Sequence, residues 1–276
     1  MSRPFLEIVQ LEKSFETSRG KLTVLSGFDL NIQEGKFVSI IGHSGCGKST
    51  VLSMVAGLEE PSDGNIVVGN REIEGPGPDR AVVFQSPSLF PWMSALENVL
   101  IGVDQVFPQA TRSQRREMSA WQLSRVGLGK ELDKKASDLS QGQRQRVGIA
   151  RAFALRPRVL LLDEPFGMLD ALTRAELQEV LLDVWARDKI TAMMITHDVD
   201  EALFLSDEVV MMTSGPYARV GEIVPVNLPR PRARKDVLGH PDYYRLRRSL
   251  LEFLEGPASH SPGAPPDKKA SGAKAA

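Results

Sequence analysis

Residues 42–50 decide the fold and read Gly42-His43-Ser44-Gly45-Cys46-Gly47-Lys48-Ser49-Thr50. They fit the pattern G-x-x-x-x-G-K-[ST], whose glycines let backbone amides converge on phosphate oxygens. The apolar run at residues 36–41 is typical of a buried parallel strand, and residues 49–56 have a helical pattern. This strand–loop–helix context favours a phosphate-binding loop over a glycine-rich turn that matches by coincidence. We predict that Lys48 reaches the β- and γ-phosphates and that the Ser49 hydroxyl ligates Mg²⁺.

A second segment with chemistry follows an apolar run and reads Arg158-Val159-Leu160-Leu161-Leu162-Asp163-Glu164. A buried strand here delivers Asp163 to the carboxyl edge of the sheet, where ligands bind in open α/β sheets. One carboxylate can hold Mg²⁺, and the second can orient or deprotonate an attacking water. Alone, the segment is equally consistent with a strand that runs into an acidic loop. Together with the phosphate loop, it predicts a nucleotide-hydrolysing site.

The composition of the 276-residue chain, with 42% hydrophobic and 25% charged residues, is that of a globular protein. This length suits one large α/β domain or a core with an inserted subdomain. The formal net charge of -1 removes the basic footprint of a nonspecific nucleic-acid binder, so we predict no nucleic-acid partner. The single cysteine excludes an intrachain disulfide and favours a reducing compartment.

The sequence also favours a soluble protein. An acid at Glu7 comes too early for a secretory signal peptide. Apolar runs such as residues 159–162 are far shorter than the ~20 residues that cross a bilayer. If the protein works at a membrane, we expect other chains to hold it there.

Alternating strand and helix patterns predict a parallel sheet covered on both faces. Strand-like segments recur at residues 159–162, 192–195 and 209–212, whereas the N-terminal stretch is predicted to form short strands. Between about residues 86 and 155 the periodicity is helical, which predicts an inserted helical subdomain.

The composition changes after Pro225. Residues 227–255 begin rich in Pro and Arg and include an amphipathic segment from Tyr243 to Leu254, which predicts a C-terminal extension. Residues 256–276 contain no large apolar residue and are predicted to be a disordered tail.

A third motif reads Leu139-Ser140-Gln141-Gly142-Gln143-Arg144-Gln145-Arg146-Val147, a small-residue loop that opens onto a helix. It looks like the LSGGQ signature, with Gln141 in place of the first glycine. With the two motifs above, it makes the chain resemble the nucleotide-binding subunits of ABC transporters over about residues 5–225. The resemblance implies an α/β fold: a P-loop NTPase (RecA-like) core with an antiparallel β subdomain and an inserted α-helical subdomain, within residues 4–226.

The resemblance also implies roles for isolated residues. Phe15 matches the aromatic residue that stacks on adenine, although an ordinary core phenylalanine would give the same signal. Gln85 matches the glutamine that senses Mg²⁺ and contacts the membrane subunit, and His197 matches the histidine that touches the γ-phosphate. Residues 165–170 match the loop that crosses the dimer interface, with Gly167-Met168 where Ser-Ala is usual.

The site implied by the resemblance uses ATP and Mg²⁺. Its catalytic residues are Lys48, Glu164 and His197, and its metal-binding residues are Ser49, Gln85 and Asp163. Its nucleotide-binding residues are Phe15, Gly42, His43, Ser44, Gly45, Cys46, Gly47, Lys48, Ser49, Thr50, Gln85, Ser140, Gly142 and Gln143.

The implied partners are a second ATPase subunit, identical or paralogous, two transmembrane permease subunits and, indirectly, an extracytoplasmic substrate-binding protein. In the family, the signature of one subunit closes on ATP held by the other. These partners place the chain peripherally at the cytoplasmic face of the cell (inner) membrane. The apolar segment Leu89-Phe90-Pro91-Trp92-Met93 is either core of the helical subdomain or part of the groove for the membrane subunit, and the resemblance favours the groove.

The transported substrate is predicted by resemblance alone. Residues 75–85 and 89–92 look like the ATPases of nitrate, sulfonate, taurine and bicarbonate importers. Residues 214–223, 227–232 and 240–244 most resemble the nitrate, cyanate and bicarbonate branch, with the nitrate type nearest. We predict import of a small anion, nitrate (nitrite or cyanate) first, with sulfonate, taurine or bicarbonate as alternatives. Soluble ABC-type ATPases of DNA repair or translation are the alternative from another class. The former need long coiled coils and the latter two ATPase domains in one chain, and neither pattern occurs in this sequence.

Overall fold

The computed structural model describes residues 4–18 and 20–256, so the predicted tail lies outside it except for Gly256. The strands of this part are β1 (Leu6–Thr17), β2 (Gly20–Ile32), β3 (Phe37–Ile41), β4 (Asp63–Val68), β5 (Arg71–Glu72), β6 (Arg80–Val83), β7 (Val159–Asp163), β8 (Thr191–Ile195), β9 (Glu208–Met212) and β10 (Val220–Pro225). Its helices are α1 (Lys48–Val55), α2 (Ala95–Val106), α3 (Arg112–Arg125), α4 (Gln141–Ala154), α5 (Ala171–Asp188), α6 (Val199–Leu205), α7 (Arg234–Gly239) and α8 (Pro241–Glu255).

The N-terminal strands form an antiparallel sheet in the order β2-β1-β4-β5. The predicted alternation is confirmed, because Phe28, Leu30 and Ile32 are buried while the residues between them are exposed. The prediction of short strands is wrong, since β1 and β2 span 12 and 13 residues. They pair from end to end, and three register irregularities, which place extra residues in both strands, interrupt the ladder.

The central sheet has six strands in the order β10-β9-β3-β8-β7-β6. Its five strands from β9 to β6 are parallel, as predicted, whereas β10 pairs antiparallel to β9 at the edge. The carboxyl ends of β3, β6, β7 and β8 therefore meet at one edge of the sheet.

The two faces of the central sheet pack against different layers. In β3, Phe37 and Ile41 belong to the core shared with the helices α2, α4, α5, α6 and α8. The alternate residues Val38 and Ile40 belong to a second core, shared with α1 and the antiparallel sheet. This period-2 alternation places a buried strand between two apolar layers, so the predicted α/β class with its antiparallel β layer is confirmed.

Helices α2, α3 and α4 follow one another between β6 and β7, where we predict the inserted helical subdomain. Each begins with a capping box, at Ser94, Thr111 and Ser140, in which the side chain of the capping residue and that of the residue three positions later each bond the other's backbone N–H. Local sequence therefore specifies the start of all three helices. The boundaries 86–155, 4–226 and 227–255 stay predictions.

Candidate functional site

The predicted site residues converge on the carboxyl edge of the central sheet. The phosphate loop joins β3 to α1, Asp163 ends β7 and Glu164 follows it, while Gln85 and His197 lie two residues beyond β6 and β8. The parallel register brings these strand ends together, because Asp163 pairs with Ile195 and the backbone N–H of Glu164 donates to the Ile195 carbonyl at 3.0 Å.

The phosphate loop curls around the ammonium group of Lys48. Its Nζ donates to the carbonyl oxygens of Gly42 at 2.8 Å and His43 at 2.9 Å, and the side chain is buried. Gly45 and Gly47 have φ values of 79° and 99°, in the left-handed region that favours glycine. A Cβ on Gly47 would lie 2.9 Å from Val24 Cγ1, so only glycine lets β2 approach the loop this closely.

Cys46 lies beneath the loop and is buried. Burial raises the pKa of its thiol, against the opposing effect of Lys48. The thiol is therefore held neutral, which fits a small packing residue and not a nucleophile.

The predicted Mg²⁺ residues include a hydroxyl and a carboxylate in contact, since Ser49 Oγ donates to Asp163 Oδ1 at 3.2 Å. Burial raises the pKa of the Asp163 carboxyl, while the bond from Ser49 opposes that rise. Oxygen donors of this kind fit Mg²⁺, which takes few protein ligands when phosphates supply others. Within residues 4–18 and 20–256 there is no cluster of three His, Cys, Asp or Glu side chains suited to a metal ion.

Glu164 lies between two other predicted site residues. Its Oε2 is 3.3 Å from His197 Nδ1 and accepts a long hydrogen bond of 3.5 Å from Gln85 Nε2. The Glu164 backbone has a φ of 43°, an unfavourable value for a residue with a Cβ. A Cβ on Gly167 would lie 3.1 Å from Gln85 Nε2, so the glycine leaves room for this amide. The structure thus brings together an acid, an amide and an imidazole.

A cleft of about 520 Å³ opens between the phosphate loop and these side chains. Its lining consists of Val24, Ser44, Gly45, Gly47, Lys48, Ser49, Thr50, Glu164 and His197. Val24 is a lining residue that the sequence did not reveal, because its place depends on how β2 packs against the loop. The predicted residues Gly42, His43 and Cys46 do not line the cleft. Phe15 does not line it either; its half-exposed ring lies 5.1 Å from Lys13 Nζ.

The signature motif forms the start of α4 and does not line this cleft. Ser140 Oγ accepts from the Gln143 backbone N–H at 3.3 Å, and Gln143 Oε1 accepts from the Ser140 N–H at 3.0 Å. A Cβ on Gly142 would lie 2.4 Å from Thr173 Cγ2, so α5 can pack this closely against α4 only because residue 142 is glycine.

Gln141, which departs from the signature, is fixed by neighbours. Its Oε1 accepts from Arg144 Nη2 at 3.0 Å, and its Nε2 lies 3.9 Å from the sulfur of Met168. Two departures from the family pattern, at Gln141 and Met168, are therefore in contact in the folded chain.

A phosphate loop, the Glu164 carboxylate and a histidine around one cleft, with Asp163 bonded to Ser49 beside it, define the class of P-loop NTPases. A family model described as ABC transporter (ABC_tran) matches residues 25–167. The bicarbonate transport ATP-binding protein CmpD of Synechococcus elongatus is 51% identical over 257 residues, 93% of this chain and 92% of that protein. The nitrate transport protein NasD of Klebsiella oxytoca is 49% identical over 253 residues, 91% of this chain and 97% of that protein.

Solved structures agree with these similarities. A dimeric ATP-binding cassette, MJ0796, in a post-hydrolysis state bound to ADP and phosphate, covers 81% of this chain with a TM-score of 0.72 and 29% identity. The chain belongs to the ABC transporter family, as a nucleotide-binding transport ATPase. None of its described helices is long and apolar enough to cross a membrane.

Proposed function

We propose that this ATPase powers the import of a small inorganic anion, nitrate first and bicarbonate second. Its similarity to NasD and CmpD, at 49% and 51% identity over more than nine tenths of the chain, supports an anion of this kind. The predicted resemblance of residues 214–223, 227–232 and 240–244 to the nitrate, cyanate and bicarbonate branch supports the same class of anion, and the nitrate type is the nearest within it. The observation that carries the ATPase chemistry is the convergence of Lys48 and Glu164 on one cleft.

The phosphate loop binds the ATP phosphates in this proposal. Lys48 exchanges its carbonyl partners for phosphate oxygens, which are charged and so form stronger hydrogen bonds. Ser49, Asp163 and Gln85 would hold Mg²⁺, which would supply positive charge to neutralise the phosphates. The contact between Ser49 and Asp163 supports this assignment, because the two oxygens already face each other.

Glu164 acts on the attacking water. Its carboxylate lies on the cleft wall, 3.3 Å from the His197 ring. In this geometry Glu164 orients the water and accepts its proton, while His197 donates to the γ-phosphate. The His197 side chain remains 63% exposed, so it can reach a phosphate without losing buried contacts.

The remaining groups of the site come from a second subunit. Ser140, Gly142 and Gln143 lie outside the cleft of their own chain, which supports a composite site closed by the signature of an opposing subunit. The start of α4 suits a phosphate oxygen, because the backbone N–H groups of Gln141 and Gly142 take no part in its capping box. The dimeric structure of the MJ0796 cassette supports the same arrangement. Phe15 provides the adenine platform, as its half-exposed ring permits.

Permease subunits dock beside Gln85 in this proposal, at the inner membrane's cytoplasmic face. Phe90 and Trp92 are exposed in the segment after Gln85, with ring centroids 5.5 Å apart. Paired exposed aromatic rings are typical of protein-binding surfaces. The solved structure of CbiO1 from Clostridium perfringens matches 91% of this chain with a TM-score of 0.72 and 28% identity. CbiO1 is part of the ABC transporter complex CbiONQ, which supports a permease partner for this chain.

The test is uptake by cells that lack the chromosomal copy and carry either wild type or Lys48→Ala. We expect nitrate uptake to return with wild type alone. Uptake of bicarbonate but not nitrate would make bicarbonate the transported anion. Uptake of neither would refute the proposal that the substrate is a small inorganic anion of this kind. ATP hydrolysis by the purified chain, lost in Lys48→Ala, tests the phosphate loop independently of any anion.

A further inference from the structure

The C-terminal helix α8 contacts two elements beside the ATP cleft, the phosphate loop and helix α6. Near its end, His43 of the phosphate loop donates from Nε2 to the Leu254 carbonyl oxygen at 2.7 Å. In its first half, Tyr243 Oη and Arg247 Nε each donate to Asp200 Oδ1 at 2.7 Å. Asp200 lies in the first turn of α6, three residues after His197.

The contact with the phosphate loop caps the helix. The last four carbonyl groups of an α-helix have no partner within it, and they carry the negative end of the helix dipole. The Leu254 carbonyl is one of these groups, and His43 supplies its donor. The His43 carbonyl in turn accepts from Lys48 Nζ at 2.9 Å. His43 thus connects the end of α8 directly to Lys48, the lysine predicted to bind phosphate.

The contact with α6 lies next to residues 196–198, the loop that carries His197 and is called the histidine loop below. Asp198 caps α6 by accepting from the backbone N–H groups of Asp200 and Glu201, so His197 directly precedes a fixed helix start. Burial, and then the bond to Asp200, raise the pKa of the Tyr243 phenol, which keeps it a donor. Two donors from α8 therefore hold the same carboxylate oxygen at the first turn of α6.

Helix α8 is well anchored between these contacts. Tyr243, Leu246 and Leu250 are buried in the core on the helical face of the sheet. A Cβ on Gly221 would lie 2.5 Å from Phe253 Cζ, so β10 accommodates the Phe253 ring only because it has glycine there. Since a helix rises 1.5 Å per residue, the seven steps from Arg247 to Leu254 form a stiff link of about 10 Å.

We propose that α8 is a positioning element for ATP hydrolysis, coupling the phosphate loop to the histidine loop through His43 and Asp200. Neither residue acts on the reacting atoms in this role. His43 fixes the loop around Lys48, and Asp200 fixes the helix behind His197. The inference rests on the proposed roles of Lys48 and His197.

The first experiment compares neighbouring arginines of α8 in the full chain. Arg247→Gln removes a donor to Asp200, whereas Arg248→Gln changes the same charge at an exposed position whose side chain forms no hydrogen bond or ion pair with residues 4–18 or 20–256. We expect Arg247→Gln to lower kcat/KM for ATP by about threefold, and Arg248→Gln to leave it unchanged. Equal activity of both variants would overturn the proposal. If Arg247→Gln fails to fold, Tyr243→Phe, which keeps the buried ring, replaces it on the same terms.

The second experiment tests coupling with a double-mutant cycle. Arg247 lies near the middle of α8 and binds Asp200, whereas His43 binds the helix end at Leu254, about 10 Å further along. Mutations this far apart normally act independently. We expect Arg247→Gln to have at least about twofold less effect on kcat/KM in a His43→Ala background than in wild type, because the link is already broken. Additive effects would refute the coupling. Lys48→Ala distinguishes failure of the proposed ATPase site from failure of the role of α8. If Lys48→Ala remains active, the proposed site is wrong. If Lys48→Ala is inactive while Arg247→Gln has wild-type activity, only the role of α8 is refuted.

Discussion

The phosphate-loop half and the signature half of the nucleotide site are built by different kinds of contact. Side chains of the first half meet across the sheet, as Ser49 and Asp163 do over a sequence distance of 114 residues. The signature half is local, since Ser140 and Gln143 bond each other's backbone within one helical turn. The first half is therefore fixed by the core of the sheet, and the second by the start of one helix in the inserted region.

This difference suits the two halves to different tasks. The strands β3 and β7 below the phosphate loop are almost wholly buried, so catalytic groups at their ends cannot shift without disturbing the core. A capped helix end on an inserted region keeps its own geometry while it moves as a unit. We therefore expect substitutions in the first half to affect chemistry, and those in the second to affect closure of the dimer.

The largest effect is expected for Glu164→Gln. The amide keeps the shape of the side chain beside His197 but cannot accept a proton, so turnover should fall by at least about a hundredfold. ATP binding should persist, and an ATP-bound dimer should accumulate. Steady-state phosphate release and size-exclusion chromatography with ATP measure these two outcomes.

Wild-type turnover by Glu164→Gln would remove Glu164 as the base. Glu176→Gln is a suitable control, because among the described residues this exposed carboxylate on α5 makes only a surface ion pair with Arg146. It should turn over ATP as wild type does.

The same difference explains what the sequence could predict. The phosphate loop, the acidic pair and the signature were found because each is a contiguous pattern, and the structure places the loop and Glu164 on one cleft. Val24 and the bond between His43 and Leu254 carry no local signal. They join residues that are distant in sequence and depend on how β2 and α8 pack. Local chemistry was therefore predictable, and contacts set by packing were not.

A large effect on stability is expected for a buried carboxyl behind the phosphate-loop half. Glu201 on α6 accepts from Gln178 Nε2 at 2.8 Å, and burial raises its pKa to about 7 from a model-compound value of 4.5. The folded protein therefore binds a proton more tightly than the unfolded chain. This group's stabilisation is complete below about pH 4.5 and is lost as the pH rises through about 7, an effect of up to about 3 kcal/mol.

Glu201→Gln removes this titration while keeping an acceptor for Gln178. Urea unfolding at several values between pH 5 and pH 8 should show the free energy of unfolding of the variant gaining on wild type as the pH rises. Parallel curves for the two proteins would show that Glu201 does not titrate in this range. All other ionisable groups are shared, so the difference isolates this carboxyl.

A smaller effect is expected for the signature half. Ser140→Ala removes the cap of α4, at a cost of about 1 kcal/mol in stability, and a hydroxyl proposed to contact ATP of the opposing subunit. We expect ATPase activity to fall by about tenfold, because a hydrogen bond to a charged phosphate is lost. Ser94→Ala is the matched control, since Ser94 forms the same capping box on α2. Equal ATPase activities of the two variants would confine Ser140 to a structural role.

The smallest effect is expected at the departure from the signature, Gln141. Its side chain contacts Arg144 and Met168 of its own chain, and Arg144 also donates to the Leu139 carbonyl at 2.8 Å. Because Arg144 keeps this second partner, Gln141→Gly should change turnover by less than about threefold. Gln141→Ala separates the loss of the side chain from the added freedom of glycine, which is worth about 1 kcal/mol inside a helix. If both variants lost turnover alike, contact with Met168 would set the signature's geometry, and this half would depend on packing as the phosphate-loop half does.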